Sequence, residues 1–544
     1  MRALWRAAND EIAGRLLLAA AREELCDATL RADELEVAGV VVPLAQTHAL
    51  GLHAPRRGIA LGDPLDHWSR IAVALGCDAA TTLRIAAELD DGRARLVLAE
   101  LASRVRALRT TRLADDDPRR SDAEHFVTRG HPWHPMVKTR MGLGWADNVR
   151  LAPELCARAM IDSVELPLGS VRRMGDDDAL AAAGVVLAEG GVRLPILRAQ
   201  WSRIGAPLRA LMRRVDAPAI VGRSLASLRT VALDGHGIHV KLALDVLTTS
   251  ARRTVSPMSV ANATVVSALL ERIRARDPLT VGALSIMREV ASAGLAPATF
   301  GAEARQIGVI VRDASVLDPS SIVCAAIGER DENDEPYLQR LVAGFPGSST
   351  QQADALVIAY STRLVPPLLR LWTAHGIALE PHMQNTIVRL DDGRIRGFVV
   401  RDLGGVRIHR PRLERAGHAL AFEPGSFIVT DDEDEASDKL AHALVHAHLS
   451  TLLRELVAHC GYDEALGWRR IGDVVDARLH EWSSDSSLAD AVARDRARLF
   501  APRIRAKALL RMRIDDRSSE YRYVWLDNPL ARATAPSDHP KSAT

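Results

Sequence analysis

Apolar residues recur at helical spacing in the first part of the chain, in stretches rich in alanine, leucine and arginine. This periodicity predicts helices over residues 4–24, 66–75 and 79–108, because side chains three or four positions apart share one helix face. Three consecutive aspartates and a proline at 115–118 predict the loop that closes this part. The first domain is therefore expected to be helical.

Two pairs of apolar runs further along the chain predict β-hairpins. Residues 228–233 and 238–247 flank a turn with two glycines, and residues 386–390 and 395–400 flank an aspartate-aspartate-glycine turn. In the second strand of the first hairpin, alternate residues are apolar, so the polar side chains between them share the opposite face.

Three longer helical patterns accompany the hairpins. One begins with Ser256 as its cap and Pro257 in its first turn, and the others cover residues 353–374 and 439–460. The acidic run 431–435 is expected to be a solvated loop before the last helix. A helical part followed by two mixed parts of helix and strand indicates the α+β class.

The composition is that of a globular protein, with 544 residues of which 47% are apolar and 26% charged. The 70 basic and 69 acidic residues leave a formal charge of +1, which counts against binding of nucleic acid or membranes through bulk charge. No apolar run approaches the ~18 residues of a membrane span, and no signal peptide is evident. Five scattered cysteines without a CxxC pair indicate a reduced, cytosolic protein without a thiolate metal site.

Only five of the 70 basic residues are lysines, so arginine is the default cation of this chain. A lysine that persists in this background indicates a position that requires a compact ammonium rather than a planar guanidinium. Lys138, Lys241 and Lys507 are therefore candidates for a functional site.

A proline-flanked segment from Gly130 carries His131 and His134, followed by Lys138 and Arg140. The prolines exclude a helix that presents both histidines, and without cysteine or carboxylate ligands a zinc site is not expected. Two interpretations stay open: a rigid turn whose histidines cap loop carbonyls, or a loop that faces an anion.

The first hairpin and its surroundings hold cations and hydroxyls. These are Ser227, Arg229, Thr230, Lys241, Thr249 and Arg253. Lys241 lies on the polar face of its strand, and Arg229 belongs to the partner strand. This set suits a triphosphate and a carboxylate, although an exposed hairpin face paired with surface acids is the alternative.

The second hairpin is preceded by Glu380, His382 and Asn385 and followed by Asp402 and two glycines. Asparagine and aspartate oxygens are ligands that Mg²⁺ prefers. The order resembles a kinase-type site, in which such residues hold the magnesium that bridges ATP phosphates. The alternative is a plain turn and a bulge.

Taken together, these motifs closely resemble the NRPS-independent siderophore synthetases of the IucA/IucC (aerobactin synthetase) family. The resemblance covers about residues 125–530 and rests on GHPWHPMVKTRMG from Gly130, SLRT from Ser227, KLALDVLTTSARR from Lys241, HGIALEPHMQN from His375 and RDLGG from Arg401. KALLRMR from Lys507 and the ending from Asn528 to Leu530 add to it.

The resemblance implies three domains: a helical thumb over 1–125, mixed fingers over 126–335 and a remotely kinase-like palm over 336–544. It also implies a cytoplasmic, homodimeric ligase that uses ATP and Mg²⁺ to adenylate citrate or a citrate derivative. An amine, hydroxylamine or alcohol then displaces AMP to give an amide or ester.

The same resemblance assigns roles to residues. The implied catalytic residues are Lys241, Arg253, His382 and His134. The implied ATP-binding residues are Ser227, Arg229, Thr230, Lys241, His382, Asn385 and Asp402. The implied substrate-binding residues are Thr249, Arg253, His382, His131 and Lys138. The implied Mg²⁺ ligands are Glu380, Asn385 and Asp402.

One segment departs from the family pattern. Residues 195–200 stand where the family carries a stretch similar to PVHPWQ, and they lack its histidine. Either the local packing or part of the acyl-acceptor site is therefore expected to differ. A kinase-like phosphotransferase and a non-catalytic carboxylate-binding protein are the alternatives. The absence of an HRD-type catalytic aspartate counts against the phosphotransferase. The presence of Lys241, Asn385 and Asp402 counts against the binding protein. The synthetase is therefore favoured.

Overall fold

The computed structural model describes residues 1–107, 123–233, 235–249, 251–331, 335–419, 422–516 and 521–533. The loop predicted at 115–118 lies outside this part of the chain. None of the helices described has both the length and the apolar character needed to cross a bilayer.

The N-terminal part contains the three predicted helices and a small sheet that was not predicted. The helices are α1 (Arg2–Arg22), α2 (Pro64–Ala74) and α3 (Ala79–Ala107). The antiparallel strands are β1 (Ala28–Leu30), β2 (Glu34–Val37), β3 (Val40–Gln46) and β4 (Ala54–Pro55). Leu35, Val37, Val42 and Leu44 alternate with exposed or half-buried residues, so the sheet buries one face. The first part is therefore mainly helical, as predicted, and contains in addition a small sheet that the sequence analysis did not predict.

The middle part is built on one large antiparallel sheet. Its elements, in chain order, are β5 (Arg140–Met141), α4 (Trp145–Leu151), β6 (Arg158–Pro167), β7 (Val171–Gly175), α5 (Asp177–Ala182), β8 (Val186–Ala188), β9 (Gly191–Leu197), α6 (Ala206–Ala210), β10 (Arg213–Arg214), β11 (Ile220–Ser224), β12 (Thr230–Leu233), β13 (Ile238–Leu242), β14 (Leu244–Thr248), β15 (Ala251–Arg253), α7 (Pro257–Arg276), β16 (Leu284–Ile286), β17 (Glu289–Leu295), α8 (Pro297–Phe300), β18 (Gly308–Asp313), β19 (Ile322–Val323) and α9 (Tyr337–Val342). Among the residues described, the sheet has the order β7-β17-β18-β13-β12-β11-β6-β9-β8, and β10 pairs with β6.

The first predicted hairpin is present as β12 and β13 at the centre of this sheet. Val231, Val240 and Val311 pack into an apolar core on one face, which leaves Lys241 on the other face. The second predicted strand is divided, because the chain leaves the sheet after Leu242 and β14 pairs with β15 and β5 instead.

The C-terminal part is mainly helical. Its elements are α10 (Ser349–His375), β20 (Ile377–Ala378), β21 (Thr386–Asp391), β22 (Arg394–Val400), β23 (Arg407–His409), α11 (Arg410–Arg415), β24 (Val429–Thr430), α12 (Glu433–Ala441), a π-helix (His442–Leu449), α13 (Ser450–Cys460), α14 (Glu464–Trp482), α15 (Ala489–Leu499), β25 (Arg503–Lys507), α16 (Leu509–Ile514), β26 (Tyr523–Asp527) and α17 (Pro529–Ala533). β21 and β22 form the second predicted hairpin, inside the sheet β16-β22-β21-β19.

The acidic run is not simply a loop. Asp432 caps α12 by accepting hydrogen bonds from the Asp434 and Glu435 amides, so the helix begins at Glu433. Carboxylates at a helix N-terminus interact favourably with the helix dipole, and here they extend the predicted helix backwards along the chain.

Candidate functional site

The polar face of the first hairpin meets the open end of the second hairpin at a cavity of about 220 Å³, here called the hairpin cavity. Nine of the predicted site residues line it: Ser227, Arg229, Thr230, Lys241, Arg253, Glu380, His382, Asn385 and Asp402. The two motifs that the sequence separates by more than a hundred residues thus face one another.

Lys241 lines this cavity, lies opposite Thr230 in the sheet and is only 6% exposed. Its Nζ donates a hydrogen bond to Asp402 Oδ1 at 2.6 Å, and Arg312 Nη2 lies 3.1 Å from the same oxygen. Burial lowers the pKa of Lys241, against the opposing effect of Asp402. Although burial opposes it, the charges of Lys241 and Arg312 hold the pKa of Asp402 well below its usual value. The carboxylate therefore stays ionised between two cations.

The loop before β12 presents Arg229 and two hydroxyls. Arg229 donates hydrogen bonds to the carbonyls of Arg253 and Thr254 at 3.0 and 2.5 Å, and Ser227 Oγ donates to Thr230 Oγ1 at 2.6 Å. Burial, together with the nearby Arg253 charge, lowers the pKa of Arg229 to about 9. The lowered pKa indicates that positive charges lie close together in this cavity. An anionic ligand would stabilise them.

Arg253 also lines the hairpin cavity, at the end of β15. Its Nε donates to the Thr248 hydroxyl, while no described residue accepts a hydrogen bond from its two terminal nitrogens. These nitrogens are therefore available for a two-point contact with a carboxylate. The neighbouring Thr249, predicted to bind substrate, does not line the cavity, and its amide donates to the Thr139 carbonyl.

The turn before β21 and the residue after β22 are joined by the Arg401 amide, which donates to the Asn385 carbonyl at 2.9 Å. Asp402 has a left-handed backbone with φ of 65°, which non-glycine residues seldom adopt outside functional sites and tight turns. This conformation follows directly on the strand end, and the carboxylate faces Lys241 across the cavity.

Glu380, a predicted metal ligand, already pairs with two lysines. Its Oε1 lies 2.8 Å from Lys439 Nζ and 4.0 Å from Lys507 Nζ. Although burial opposes it, these two lysines lower the pKa of Glu380 to about 2. The structure thus gives two of the rare lysines a common partner at the edge of the site.

The oxygens of Asn385 and Asp402 line one cavity and suit Mg²⁺. No three histidine, cysteine, aspartate or glutamate side chains of the described residues converge as a metal site. The donor set therefore fits a magnesium ion that arrives with phosphate oxygens better than one held by protein ligands alone.

His131, His134 and Lys138, predicted to close over the site, do not line the hairpin cavity. Lys138 Nζ donates to the Val127 carbonyl at 2.8 Å and lies 3.5 Å from Glu154. His134 accepts a hydrogen bond from the Met136 amide, and burial and cationic neighbours lower its pKa to about 3. These contacts fit a rigid turn, although the two histidine rings accept hydrogen bonds from backbone amides instead of capping carbonyls. Direct roles for these three residues stay predictions.

Glu154→Gln is expected to lower the free energy of unfolding by about 3 kcal/mol, because it leaves Lys138 and Arg140 buried without their counter-ion. Glu154 lies 2.7 Å from Arg140 and 3.5 Å from Lys138. Denaturant unfolding followed by circular dichroism measures the loss. Glu36→Gln is the control, since its pair with Arg31 is exposed and worth at most about 1 kcal/mol. An equally small loss for both variants would show that the buried cluster adds no stability.

Two residues that position the site, Arg312 and Glu124, were missed from the sequence. Arg312, 2% exposed on β18, pairs with Glu289 as well as Asp402. Glu124 accepts a hydrogen bond from the Ala226 amide and forms an ion pair with Arg401, so it ties the loop before β12 to the loop after β22. A charged residue within the apolar run of β18 was the available signal for Arg312, whereas no local pattern marks Glu124.

The segment that departs from the family pattern has a structural role in this chain. Gln200 donates to the Gln306 carbonyl at 2.9 Å and accepts from the Asp245 amide at 2.8 Å. It therefore links the turn after β9 to β14, and it does not line the hairpin cavity.

Two family models match the chain. The model of the IucA / IucC family matches residues 120–176 and 209–328, and the model described as ferric iron reductase FhuF-like transporter matches residues 354–521. Lys241 lies in the part matched by the IucA / IucC model, and Asp402 lies in the part matched by the FhuF-like model. The hairpin cavity is therefore built from both parts.

Two similar proteins come from Staphylococcus aureus. Staphyloferrin A synthase is 26% identical over 75% of this chain and 72% of its own length, and D-ornithine–citrate ligase is 26% identical over 54% and 48%. The ATP-bound aerobactin synthetase IucA from a hypervirulent pathotype of Klebsiella pneumoniae superposes with a TM-score of 0.75 at 16% identity, covering 96% of this chain and 99% of that one. The fold is therefore shared along nearly the whole chain. With the motifs gathered at one cavity, these matches show that the chain is similar to the NRPS-independent siderophore synthetases of the IucA/IucC family and shares their fold.

Proposed function

We propose that this chain is a ligase that uses ATP to join citrate or a related polycarboxylate to an amine, hydroxylamine or alcohol in siderophore biosynthesis. The observation that carries the proposal is the charge of the hairpin cavity, whose lining has five basic side chains and two acidic ones. A triphosphate and a polycarboxylate would supply the missing negative charge. The names of two similar proteins, staphyloferrin A synthase and D-ornithine–citrate ligase, support the same proposal.

In the proposed reaction a carboxylate oxygen attacks the α-phosphorus of ATP, and pyrophosphate leaves. The amine nitrogen then attacks the acyl carbon, the bond to the AMP oxygen breaks, and the amine proton passes to solvent or to a nearby base. Lys241, Arg229 and Ser227 would hold the triphosphate, and the Lys241 ammonium would offset the charge that develops at the α-phosphate. Arg253 and His382 would hold the polycarboxylate. Holding both reactants in attack geometry would supply much of the acceleration.

The volume of the cavity bears on how the ligands fit. Sites for molecules of drug size enclose about 300–1,000 Å³, more than the 220 Å³ of the hairpin cavity. We infer that in this conformation it takes the reacting phosphate and carboxylate groups, and that the rest of the nucleotide lies outside it. Asn385 and Asp402 would hold Mg²⁺, which would neutralise charge on the phosphate oxygens.

The three-domain scheme of thumb (1–125), fingers (126–335) and kinase-like palm (336–544) is part of this proposal, as is a homodimer. The pairing of Lys241 with Asp402 supports the kinase-like part of the scheme, because a strand lysine and a magnesium-binding aspartate also face one another across kinase-type nucleotide sites.

Product identity tests the function. Purified enzyme is incubated with ATP, Mg²⁺, hydroxylamine and one acid at a time from a panel of citrate, a citrate monoamide, 2-oxoglutarate and succinate. We expect AMP, pyrophosphate and a hydroxamate with citrate or its monoamide. ADP and phosphate would replace the proposal by phosphoryl transfer, and no turnover with any acid would favour a binding protein.

A further inference from the structure

Residues 380–385, between β20 and β21, form a loop that supplies four side chains to the hairpin cavity. One of them is His382. Among the residues that the structure describes, none forms a hydrogen bond with the His382 ring. The orientation of this ring therefore depends on how the backbone of the loop is held.

The part of the loop after His382 is held by donors from two other segments. The Met383 carbonyl accepts a hydrogen bond from the Ala325 amide at 2.9 Å, in the turn after β19. The Gln384 carbonyl accepts one from the Arg401 guanidinium at 2.8 Å. These bonds fix the loop on the side that leads into β21.

The part before His382 is held by a buried histidine. His448 Nδ1 lies 2.7 Å from the Pro381 carbonyl oxygen. A carbonyl oxygen can only accept, so Nδ1 carries a proton and donates it. The Pro381 carbonyl and the His382 amide belong to one planar peptide unit. The hydrogen bond from His448 therefore orients the backbone from which the His382 side chain extends.

Tyr360, on α10, determines which nitrogen of His448 is protonated. Burial lowers the pKa of His448 to about 4, so the ring carries a single proton at neutral pH. With that proton on Nδ1, Nε2 is an acceptor, and the Tyr360 hydroxyl donates to it at 2.6 Å. Both side chains are 0% exposed, so solvent does not compete for either bond.

The helix form around His448 is a second, independent observation. His448 lies in the π-helix between α12 and α13. Segments of π-helix are rare and are frequent at functional sites. The hydroxyls of Ser450 and Thr451 donate to backbone carbonyls of this segment. The side chains that follow His448 thus supply hydrogen bonds to the unusual turn that carries it.

We propose that His448 and Tyr360 are positioning residues for His382. The Tyr360 hydroxyl fixes the tautomer of His448, and His448 holds the Pro381 peptide so that the His382 ring faces the polycarboxylate. Neither residue lines the hairpin cavity, so both act through the loop. This inference rests on the proposed function, in which His382 binds the polycarboxylate. It adds two residues that the sequence analysis did not assign to the site.

Two amide side chains at position 448 test the role of Nδ1. The amide nitrogen of asparagine can occupy the position of Nδ1, whereas that of glutamine reaches the position of Nε2. The assay is acid-dependent pyrophosphate exchange, which needs no amine, with the acid of the panel above that supports it.

His448→Gln is expected to raise the KM for the acid about 10-fold and the KM for ATP less than about 2-fold, because it removes one buried hydrogen bond on the acid side of the site. His448→Asn keeps a donor to Pro381 and should stay within about 3-fold of wild type. A residue that only fills space would give the opposite order, since glutamine is closer to histidine in volume.

Tyr360→Phe removes the donor to Nε2, so that the proton of His448 is no longer confined to Nδ1. We expect the KM for the acid to rise about 3-fold, again with little change for ATP. Ser361→Ala is the matched control. Its buried hydroxyl donates to the Val357 carbonyl within α10, so the loss should leave both constants unchanged.

His382→Ala provides the background in which positioning should no longer matter. There, His448→Gln is expected to change the KM for the acid less than about 2-fold, because two residues that act through one another are not additive. If His448→Gln does not fold, as judged by circular dichroism, Tyr360→Phe in the same two backgrounds takes its place.

An undiminished effect in the His382→Ala background would overturn the inference. Equal rises in the KM for the acid and for ATP, or a larger loss for His448→Asn than for His448→Gln, would also overturn it while leaving adenylation intact. No exchange with any acid in wild type would instead reject the proposed function, and this inference with it.

Discussion

Lys241→Ala is expected to lower citrate-dependent pyrophosphate exchange by about 10³-fold, because it removes a buried charge directed at the reacting phosphate. The fold should survive, since Asp402 keeps Arg312 as a partner at 3.1 Å. The measurement is the kcat for exchange at saturating ATP and citrate, with circular dichroism to verify folding.

Arg193→Ala, half-exposed on β9 of the same sheet and paired with Glu165, is the control. It should retain wild-type exchange, because a surface ion pair contributes little. Activity within a few fold of wild type for Lys241→Ala would mean that the nucleotide binds elsewhere.

Arg253→Ala is expected to raise the KM for citrate by about 10²-fold while changing the KM for ATP much less, since the guanidinium offers two charged hydrogen bonds to one carboxylate. The structure leaves both terminal nitrogens of Arg253 without an acceptor among the described residues, at the edge of the hairpin cavity. Initial rates with each substrate varied in turn separate the two constants.

The adjacent Arg252 is a matched control for this experiment. Its side chain is 67% exposed and paired with Asp245, so Arg252→Ala should leave both constants close to those of wild type. Equal rises in the KM for citrate and for ATP would contradict the assignment of Arg253 to the polycarboxylate.

Local patterns predicted the parts of the site that each hairpin carries. The glycine turn and alternation of residues 228–247 place Lys241 on a polar strand face, and the observed register with Thr230 confirms it. The second hairpin carries Asn385 and Asp402 at its open end for the same reason: the periodicity of a strand and its turn are encoded within a few residues.

The unpredicted parts depend on contacts distant in sequence. Arg312 joins Lys241 only because β18 pairs with β13, and Glu124 meets Arg401 across more than 270 positions. The small sheet over 28–55 was missed for a different reason, since its strands are short and lie between strong helical patterns. Neither tertiary pairing nor short strands can be read from local periodicity.

The strand order of the large sheet has a consequence for biosynthesis. β13 receives its second neighbour, β18, only when residues 308–313 have left the ribosome, and until then its backbone donors and acceptors form an open edge. An exposed apolar edge in a partly made chain pairs readily with other chains. Slow translation at low temperature and the presence of chaperones should therefore increase the yield of soluble protein, and fragments ending before residue 308 should aggregate.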